Sequence, residues 1–408
     1  MQVPLRMPVP LSSSLPPYYL SSDSVLIPPT YSPEPTPGEE CLSRPSFGRP
    51  LRTGEFKKTN GRITLTLKEQ ADNPPAPTYG PGDLVAGTIR IQGSGTVTEV
   101  VLKLSGRLDL ATAHGGQPIE LVKDSYTVWS DNMRFLCPAS IPFSLIFPST
   151  FKYGEQHWPL PPSVQITPPG RPFTYVRCIY TMSVVVSTAL HPRFSLWRGE
   201  KTLSLPVNFR PTAYPPRPIT PDTNLLPTVK TAPDEWYQVL CNIGHQLELK
   251  NIHCSLFIPS ALIYGLSDSI PIHLQISGPA TKLMQLVRPP SANSKTQSPV
   301  RVHLMRRISL FVRGERQCRN ITIGEGVLSI LPPPICYSEK CGPHEASIDW
   351  AGAVQCESTI TVGTFDSGML YVKDFIVVSI PAWSIEHKHQ VQFVSDTWLN
   401  DPGPVDRV

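Results

Sequence analysis

Proline is the residue that most limits what this chain can fold into. There are 48 prolines among 408 residues, about 12% of the chain where roughly 5% is usual. Proline has no backbone N–H and breaks the interior of a helix. The prolines occur along the whole chain, so the sequence excludes a helical bundle or a coiled coil.

Composition narrows the class of protein further. Hydrophobic residues make up 40% of the chain, many of them in runs of Val, Ile and Leu, which excludes a wholly disordered chain. The net charge of +4 is too small to indicate nucleic-acid binding. The nine cysteines are odd in number and unclustered, as is typical of reduced thiols. Prolines interrupt each apolar stretch near the N-terminus, so we predict no signal peptide and expect a cytoplasmic protein.

Local composition divides the chain into four parts. Residues 1–54 are rich in proline and serine, and we predict a disordered tail because such a segment cannot bury a core. Residues 55–210 and 234–400 are two strand-rich blocks. Residues 211–233 are again rich in proline and are predicted to be a stiff connector between the blocks.

The alternation of apolar and polar residues predicts strands. Ile63, Leu65 and Leu67 alternate with threonine and lysine, as in a half-buried strand. Gly87, inside the next strand, predicts a bulge or a close approach of two backbones. Many short strands at regular spacing predict an all-β fold made of two immunoglobulin-like sandwiches, one per block.

The predicted strands leave little room for helix. Single helical turns are predicted near 154–165 or 281–287, and no internal sequence repeat is visible. The strands are predicted at 63–68, 85–91, 97–110, 119–129, 141–147, 173–188, 201–209, 236–241, 246–258, 271–277, 301–313, 321–331, 354–362, 369–380 and 390–395.

Several phrases, in their order and spacing, resemble the arrestins. The phrases are YGPGDLVAGTI at 79–89, IPFSLIFP at 141–148, LPPS at 160–163, the strand that begins at Tyr175, and GMLYVKDFIV at 368–377. The chain resembles the α-arrestins (arrestin domain-containing proteins) over residues 57–398. This resemblance implies two arrestin-like β-sandwiches. It also implies an adaptor that recruits a HECT-type ubiquitin ligase to transmembrane cargo proteins.

Two Pro-Pro-x-Tyr motifs lie in the predicted tail. A preformed polyproline II helix loses little entropy when it docks in the aromatic groove of a WW domain, and the tyrosine fixes the register. The predicted WW-binding residues are Pro16, Pro17 and Tyr19 in the first motif, and Pro28, Pro29 and Tyr31 in the second. The resemblance assigns those WW domains to the ligase, although many α-arrestins carry such motifs in a C-terminal tail.

A basic stretch follows in the second block. Arg301, Arg307 and Arg313 are predicted to face outward from one strand, with a register slip near Met305-Arg306 that a bulge would produce. Such a face could meet acidic or phosphorylated cargo tails, or an anionic membrane surface. The alternative is an ordinary solvated face.

The sequence therefore predicts an adaptor without enzymatic activity or cofactor, recruited peripherally to the plasma membrane or to endosomes. The alternative is an arrestin-fold scaffold for endosomal sorting that recruits no ligase. No nucleophile, phosphate-binding or metal motif is apparent. His387 and His389 share strand spacing, but a third metal ligand is not evident, and surface or hydrogen-bonded histidines are favoured.

Overall fold

The computed structural model describes residues 53–71, 74–93, 96–131, 136–168, 170, 173–189, 198–219, 225–228, 231–241, 251–287, 299–332, 336–337 and 345–395. Of the predicted tail, only residues 53 and 54 fall within these ranges. Both Pro-Pro-x-Tyr motifs lie outside them.

The described chain is almost entirely β-structure. Strands make up 66% and helices 7% of the described residues, in curled sheets of β-sandwich character, which confirms the predicted all-β class. The strands are β1 (Gly54–Asn60), β2 (Ile63–Gln70), β3 (Thr78–Tyr79), β4 (Leu84–Ile91), β5 (Val97–Thr112), β6 (Gly115–Ser130), β7 (Ser140–Ile146), β8 (Thr150–Tyr153), β9 (Gln156–Pro159), β10 (Val164–Ile166), β11 (Thr174–Ala189), β12 (Arg198–Phe209), β13 (Trp236–Leu240), β14 (His253–Pro259), β15 (Ile263–Gly265), β16 (Ile270–Pro279), β17 (Arg301–Val312), β18 (Glu315–Ile330), β19 (Cys336–Tyr337), β20 (Glu345–Val354), β21 (Phe365–Asp366), β22 (Leu370–Ile380) and β23 (Ile385–Val394). The helices are α1 (Leu225–Thr228) and α2 (Ala280–Val287), with 3-10 turns at Pro233–Glu235 and Pro381–Trp383.

Two sheets enclose the first hydrophobic core. One has the strand order β1-β2-β4-β7, and the other has the order β3-β12-β11-β5-β6 with β10 beside β11. The predicted alternation holds, since Ile63, Leu65 and Leu67 are buried in this core while Thr64 between them is only partly buried. Gly87 marks a close approach, because a Cβ atom there would lie 2.3 Å from the Thr66 carbonyl oxygen of the next strand.

An aromatic cluster lies in the first core, and it brings together four of the five phrases that resemble the arrestins. The Phe147 ring stacks between Tyr79 and Phe209, with centroid distances of 6.1 and 5.0 Å. Tyr180 packs against Phe147 edge-on at 5.7 Å, and its hydroxyl donates to the Pro161 carbonyl at 2.7 Å. These phrases therefore share a structural role. Their aromatic rings fill one end of the first core, and the buried Tyr180 hydroxyl has its hydrogen-bond acceptor there.

The second core is enclosed by one long, curled sheet. Its strand order is β13-β14-β16-β20-β18-β17-β22-β23-β15, with β19 beside β20 and β21 beside β22. Helix α2 packs onto this core through the buried side chains of Leu283 and Leu286. Position 281–287 was one of the two predicted helical turns, whereas the other, 154–165, holds strands β9 and β10 instead.

A corner of the first core is built from the sequence Tyr-Gly-x-x-Asp. Tyr79, in β3, pairs in parallel with Phe209 at the end of β12. The chain then turns, and the backbone N–H of Gly80 donates to the Asp83 carboxylate at 2.6 Å. This turn follows the short strand β3, which pairs in parallel with β12.

The second core repeats that corner with another Tyr-Gly-x-x-Asp sequence. Tyr264, in β15, pairs in parallel with Phe393 at the end of β23, and the N–H of Gly265 donates to the Asp268 carboxylate at 2.6 Å. The Tyr264 hydroxyl donates to the Pro259 carbonyl at 2.7 Å. The two halves of the body thus share a structural repeat that the sequence analysis did not find.

Strands β17 and β22 pass from one core into the other. In β17, Val302 and Leu304 belong to the second core, whereas Ile308 and Leu310 belong to the first. Strand β22 pairs antiparallel with β17. Its first buried residues belong to the first core and its later ones to the second. Residues Leu51–Val408 accordingly form a single unit by their contacts.

One predicted strand is wrong. Residues 354–362 carry the β-branched Thr359 and Ile360, which favour a strand, but β20 ends at Val354 and had begun unpredicted at Glu345. Beyond it, the N–H of Glu357 donates to the Ile323 carbonyl and the N–H of Ile360 donates back to the Glu357 carbonyl. These two bonds turn the chain where a strand would have continued.

Candidate functional site

The structure describes only one of the two groups of predicted site residues. The WW-binding residues Pro16, Pro17, Tyr19, Pro28, Pro29 and Tyr31 lie outside the described residues. The three arginines of the predicted basic face are described. Arg301 and Arg307 are six residues apart in β17 and therefore project from the same side of the strand, whereas Arg313 lies in the turn that follows it.

Arg301 is neutralised at one end of this face. Its guanidinium pairs with the Glu325 carboxylate of β18 at 3.1 Å. On β23, Lys388 pairs with Glu386 at 2.6 Å. Between these pairs lies His303, whose pKa is lowered by burial, partly offset by the nearby Glu325 carboxylate. This half of the face carries balanced charges.

Arg307 lies in a different setting. Its guanidinium stacks over the Phe375 ring at 5.2 Å and donates to the Asn320 side-chain oxygen at 3.1 Å. Neither partner carries a charge, so the cation is positioned without being neutralised. Directly opposite Arg307 on β22 is the exposed Lys373.

Arg313 lies in the turn between β17 and β18. Its φ of 52° and the φ of 83° at Gly314 are left-handed, as a two-residue hairpin turn requires. Its backbone N–H donates to the Gln117 side chain of β6 at 3.1 Å. Gln117 in turn donates to the Tyr153 hydroxyl at 3.0 Å, so the turn is anchored on strands of the first core.

Two further cations complete a patch that the predicted trio did not define. Arg316 is exposed and lies opposite Phe311 across the hairpin, on the same side of the sheet as Arg307. We call Arg307, Arg316 and Lys373 the cationic patch. Arg316 belongs to the basic stretch of the sequence. Lys373 lies more than 50 residues further along the chain, and only the pairing of β17 with β22 brings it close.

A register irregularity does occur beside Met305, as predicted, but it does not change the phase of β17. The even-numbered residues of β17 keep one phase throughout, and Arg306 occupies an inward position among them. The irregularity lies on the partner strand, where Leu304 pairs with Gly324 and Met305 pairs with Thr322, so β18 has one extra residue. Arg306 therefore points into the body.

Arg306 forms a buried ion pair with Asp374 of β22. The two side chains are 4% and 0% exposed, and the guanidinium donates to the two carboxylate oxygens at 2.8 and 3.0 Å. The Thr364 hydroxyl donates to the same carboxylate at 2.9 Å. The pair lies where β17 and β22 leave one core and enter the other.

Two cavities border this junction. One, of about 330 Å³, lies among residues that include Phe209, Pro211, Val362 and Phe393. The other, of about 480 Å³, is bordered by Arg306 together with residues of β10 and the segment after β20. Among the residues that line the second cavity, the Thr359 hydroxyl donates to the Glu357 carboxylate at 3.5 Å.

The remaining site chemistry is limited. Within the described ranges, no group of three or more His, Cys, Asp or Glu side chains is placed to hold a metal ion. No helix in the same ranges is both long and apolar enough to cross a membrane. Neither models of known protein families nor curated proteins give a match to this chain.

Proposed function

We propose that this protein is an adaptor of the α-arrestin type, without enzymatic activity of its own. The Pro-Pro-x-Tyr motifs tether a WW-bearing HECT-type ubiquitin ligase, and the all-β body contacts transmembrane cargo. Bound cargo is ubiquitinated and endocytosed, which requires a cytoplasmic protein that is recruited peripherally to the plasma membrane or endosomes. The observation that carries the proposal is the pair of motifs ahead of an all-β body.

The body is proposed to consist of two arrestin-like sandwiches, at residues 55–210 and 234–400, joined by 211–233. The repeated Tyr-Gly-x-x-Asp corner supports this proposal, because each core ends on the same short parallel strand and the same capped turn. Two hydrophobic clusters support it as well, one formed mainly by residues 55–210 and the other by residues 234–400, with β17 and β22 contributing to both.

The two motifs are proposed to act together. Tyr19 and Tyr31 are 12 residues apart, about 37 Å in polyproline II geometry. That span allows two WW domains of one ligase to bind at once. Linking two weak sites makes the second contact intramolecular, which raises avidity by about 10²–10⁴.

The test is titration of the full chain with a tandem WW-domain fragment. We expect Tyr19→Ala or Tyr31→Ala to remove the avidity gain and the double variant to abolish binding. The matched control is Tyr18→Ala with Thr30→Ala, which changes the variable position of each motif and leaves affinity intact. If the double tyrosine variant binds as tightly as the wild type, the endosomal scaffold without a ligase becomes the better account.

A further inference from the structure

Nearby acidic side chains do not neutralise the positive charge of the cationic patch. In the part of the chain that the structure describes, no salt bridge involves Arg307, Arg316 or Lys373. One carboxylate, Asp366 on β21, lies on the same side of the sheet and accepts a hydrogen bond from the Gly368 N–H. The exposed Glu315 also adjoins Arg316 at the start of β18. Three cations against these two acids leave a local excess of positive charge.

An exposed aromatic ring lies within this positive region. Phe311 of β17 is 46% exposed and pairs directly with Arg316 across the hairpin. A large apolar ring beside long basic side chains suits the boundary of a bilayer, where the ring enters the headgroup region and the cations stay at the phosphates.

The patch lies apart from the two cavities described above. Arg307, Phe311, Arg316 and Lys373 lie on the outer face of paired strands and line neither cavity. A lipid surface needs only an accessible face with complementary charge.

We infer that the cationic patch and Phe311 dock the protein on an anionic phospholipid surface. This inference revises the predicted arginine trio, because Arg301 is neutralised by Glu325 and takes no part, whereas Lys373 and Arg316 do. It rests on the proposed function only in placing the protein at a membrane. WW binding is measured without vesicles, so failure of one proposal is distinguishable from failure of the other.

The experiment is co-sedimentation of the full chain with phosphatidylcholine vesicles that contain or lack phosphatidylserine. One cation near an anionic surface contributes about fivefold in affinity, so the double variant Arg316→Gln/Lys373→Gln should bind roughly 30-fold more weakly. The matched control is Lys57→Gln/Lys58→Gln, which removes the same charge from two exposed residues of β1. Arg301→Gln should also leave binding unchanged.

Two further measurements separate the electrostatic contribution to vesicle binding from the apolar one: varying the salt concentration and removing the aromatic ring. Raising the ionic strength should remove most of the wild-type binding, because exposed charges are screened over about 8 Å at physiological salt. Phe311→Ser should weaken binding at every salt concentration, since the apolar contribution is not screened. Circular dichroism of each variant confirms that the fold is retained.

Three results would overturn the inference. The first is equal binding to vesicles with and without phosphatidylserine. The second is an equal loss in the patch variant and in the β1 control, which would show that only net charge matters. The third is binding of the patch to an acidic or phosphorylated peptide, lost in Arg316→Gln/Lys373→Gln, without binding to anionic vesicles.

Discussion

The Arg306–Asp374 pair places two charges at the junction of two hydrophobic cores. A buried ion pair is satisfied only while both partners remain, because removing one leaves an uncompensated charge out of water. Three hydrogen bonds hold the Asp374 carboxylate in place. We therefore expect the pair to contribute more to the alignment of β17 with β22 than to net stability.

Breaking this pair should be far more damaging than replacing it. We expect Asp374→Asn to lower the free energy of unfolding by about 3–5 kcal/mol, and Arg306→Met/Asp374→Leu to lower it much less. Glu325→Gln breaks the exposed Arg301–Glu325 pair and serves as the control, with an expected loss below about 1 kcal/mol. Urea unfolding of these proteins and of the single variants Arg306→Met and Asp374→Leu measures these differences. If the double variant equals the sum of its single variants, the two side chains are not coupled.

Two histidines on β23 should make stability depend on pH. Burial lowers the pKa of His387 and of His389, and the neighbouring His387 lowers the pKa of His389 further. The His389 ring packs at 5.6 Å from Tyr237 of β13. Because the folded state binds these protons less readily than the unfolded state, their contribution to stability is present above the unfolded pKa near 6.5 and is lost as the pH falls below it.

The double variant His387→Gln/His389→Gln should therefore lose less stability than the wild type between pH 7 and pH 5. Urea midpoints at a series of pH values measure the two slopes, and the comparison cancels the titration of the carboxylates. His157→Gln alters an exposed histidine on β9 and should leave the slope unchanged. Parallel slopes for wild type and double variant would assign the pH dependence to other groups.

Strand β17 shows what alternation in a sequence can predict and what it cannot. The strand was predicted at 301–313 and is observed at Arg301–Val312, because period-two alternation is a local property. Arg306 occupies the same phase as Val302, Leu304, Ile308 and Leu310, so an inward arginine was readable from the sequence alone. Its partner Asp374 also shares the phase of the apolar residues of β22.

Other features depend on contacts between distant segments. Lys373 joins the cationic patch only through the pairing of β22 with β17, and no local pattern predicts that register. The β18 bulge likewise arises from how two strands are paired. By contrast, the two Tyr-Gly-x-x-Asp sequences were visible at 79–83 and 264–268. A search for short repeats at matching places in the two blocks would have found them.

The two cores share strands, and this connection governs how the body should unfold. A 12-residue strand spans about 40 Å, and β17 fills positions in both cores along its length. Strand β22 does the same beside it. One core cannot lose its sheet without removing buried side chains from strands that also complete the other. The proposed pair of sandwiches should therefore behave as one cooperative unit.

Calorimetry tests that cooperativity. We expect one endotherm for the full chain, with a van't Hoff enthalpy equal to the calorimetric enthalpy. Leu65→Ala in the first core and Leu256→Ala in the second each remove a fully buried side chain, at a cost of about 2–5 kcal/mol. Each substitution should move the whole endotherm to lower temperature without splitting it. Two endotherms, with Leu65→Ala lowering one and Leu256→Ala the other, would show that β17 and β22 do not couple the cores and that each half melts alone.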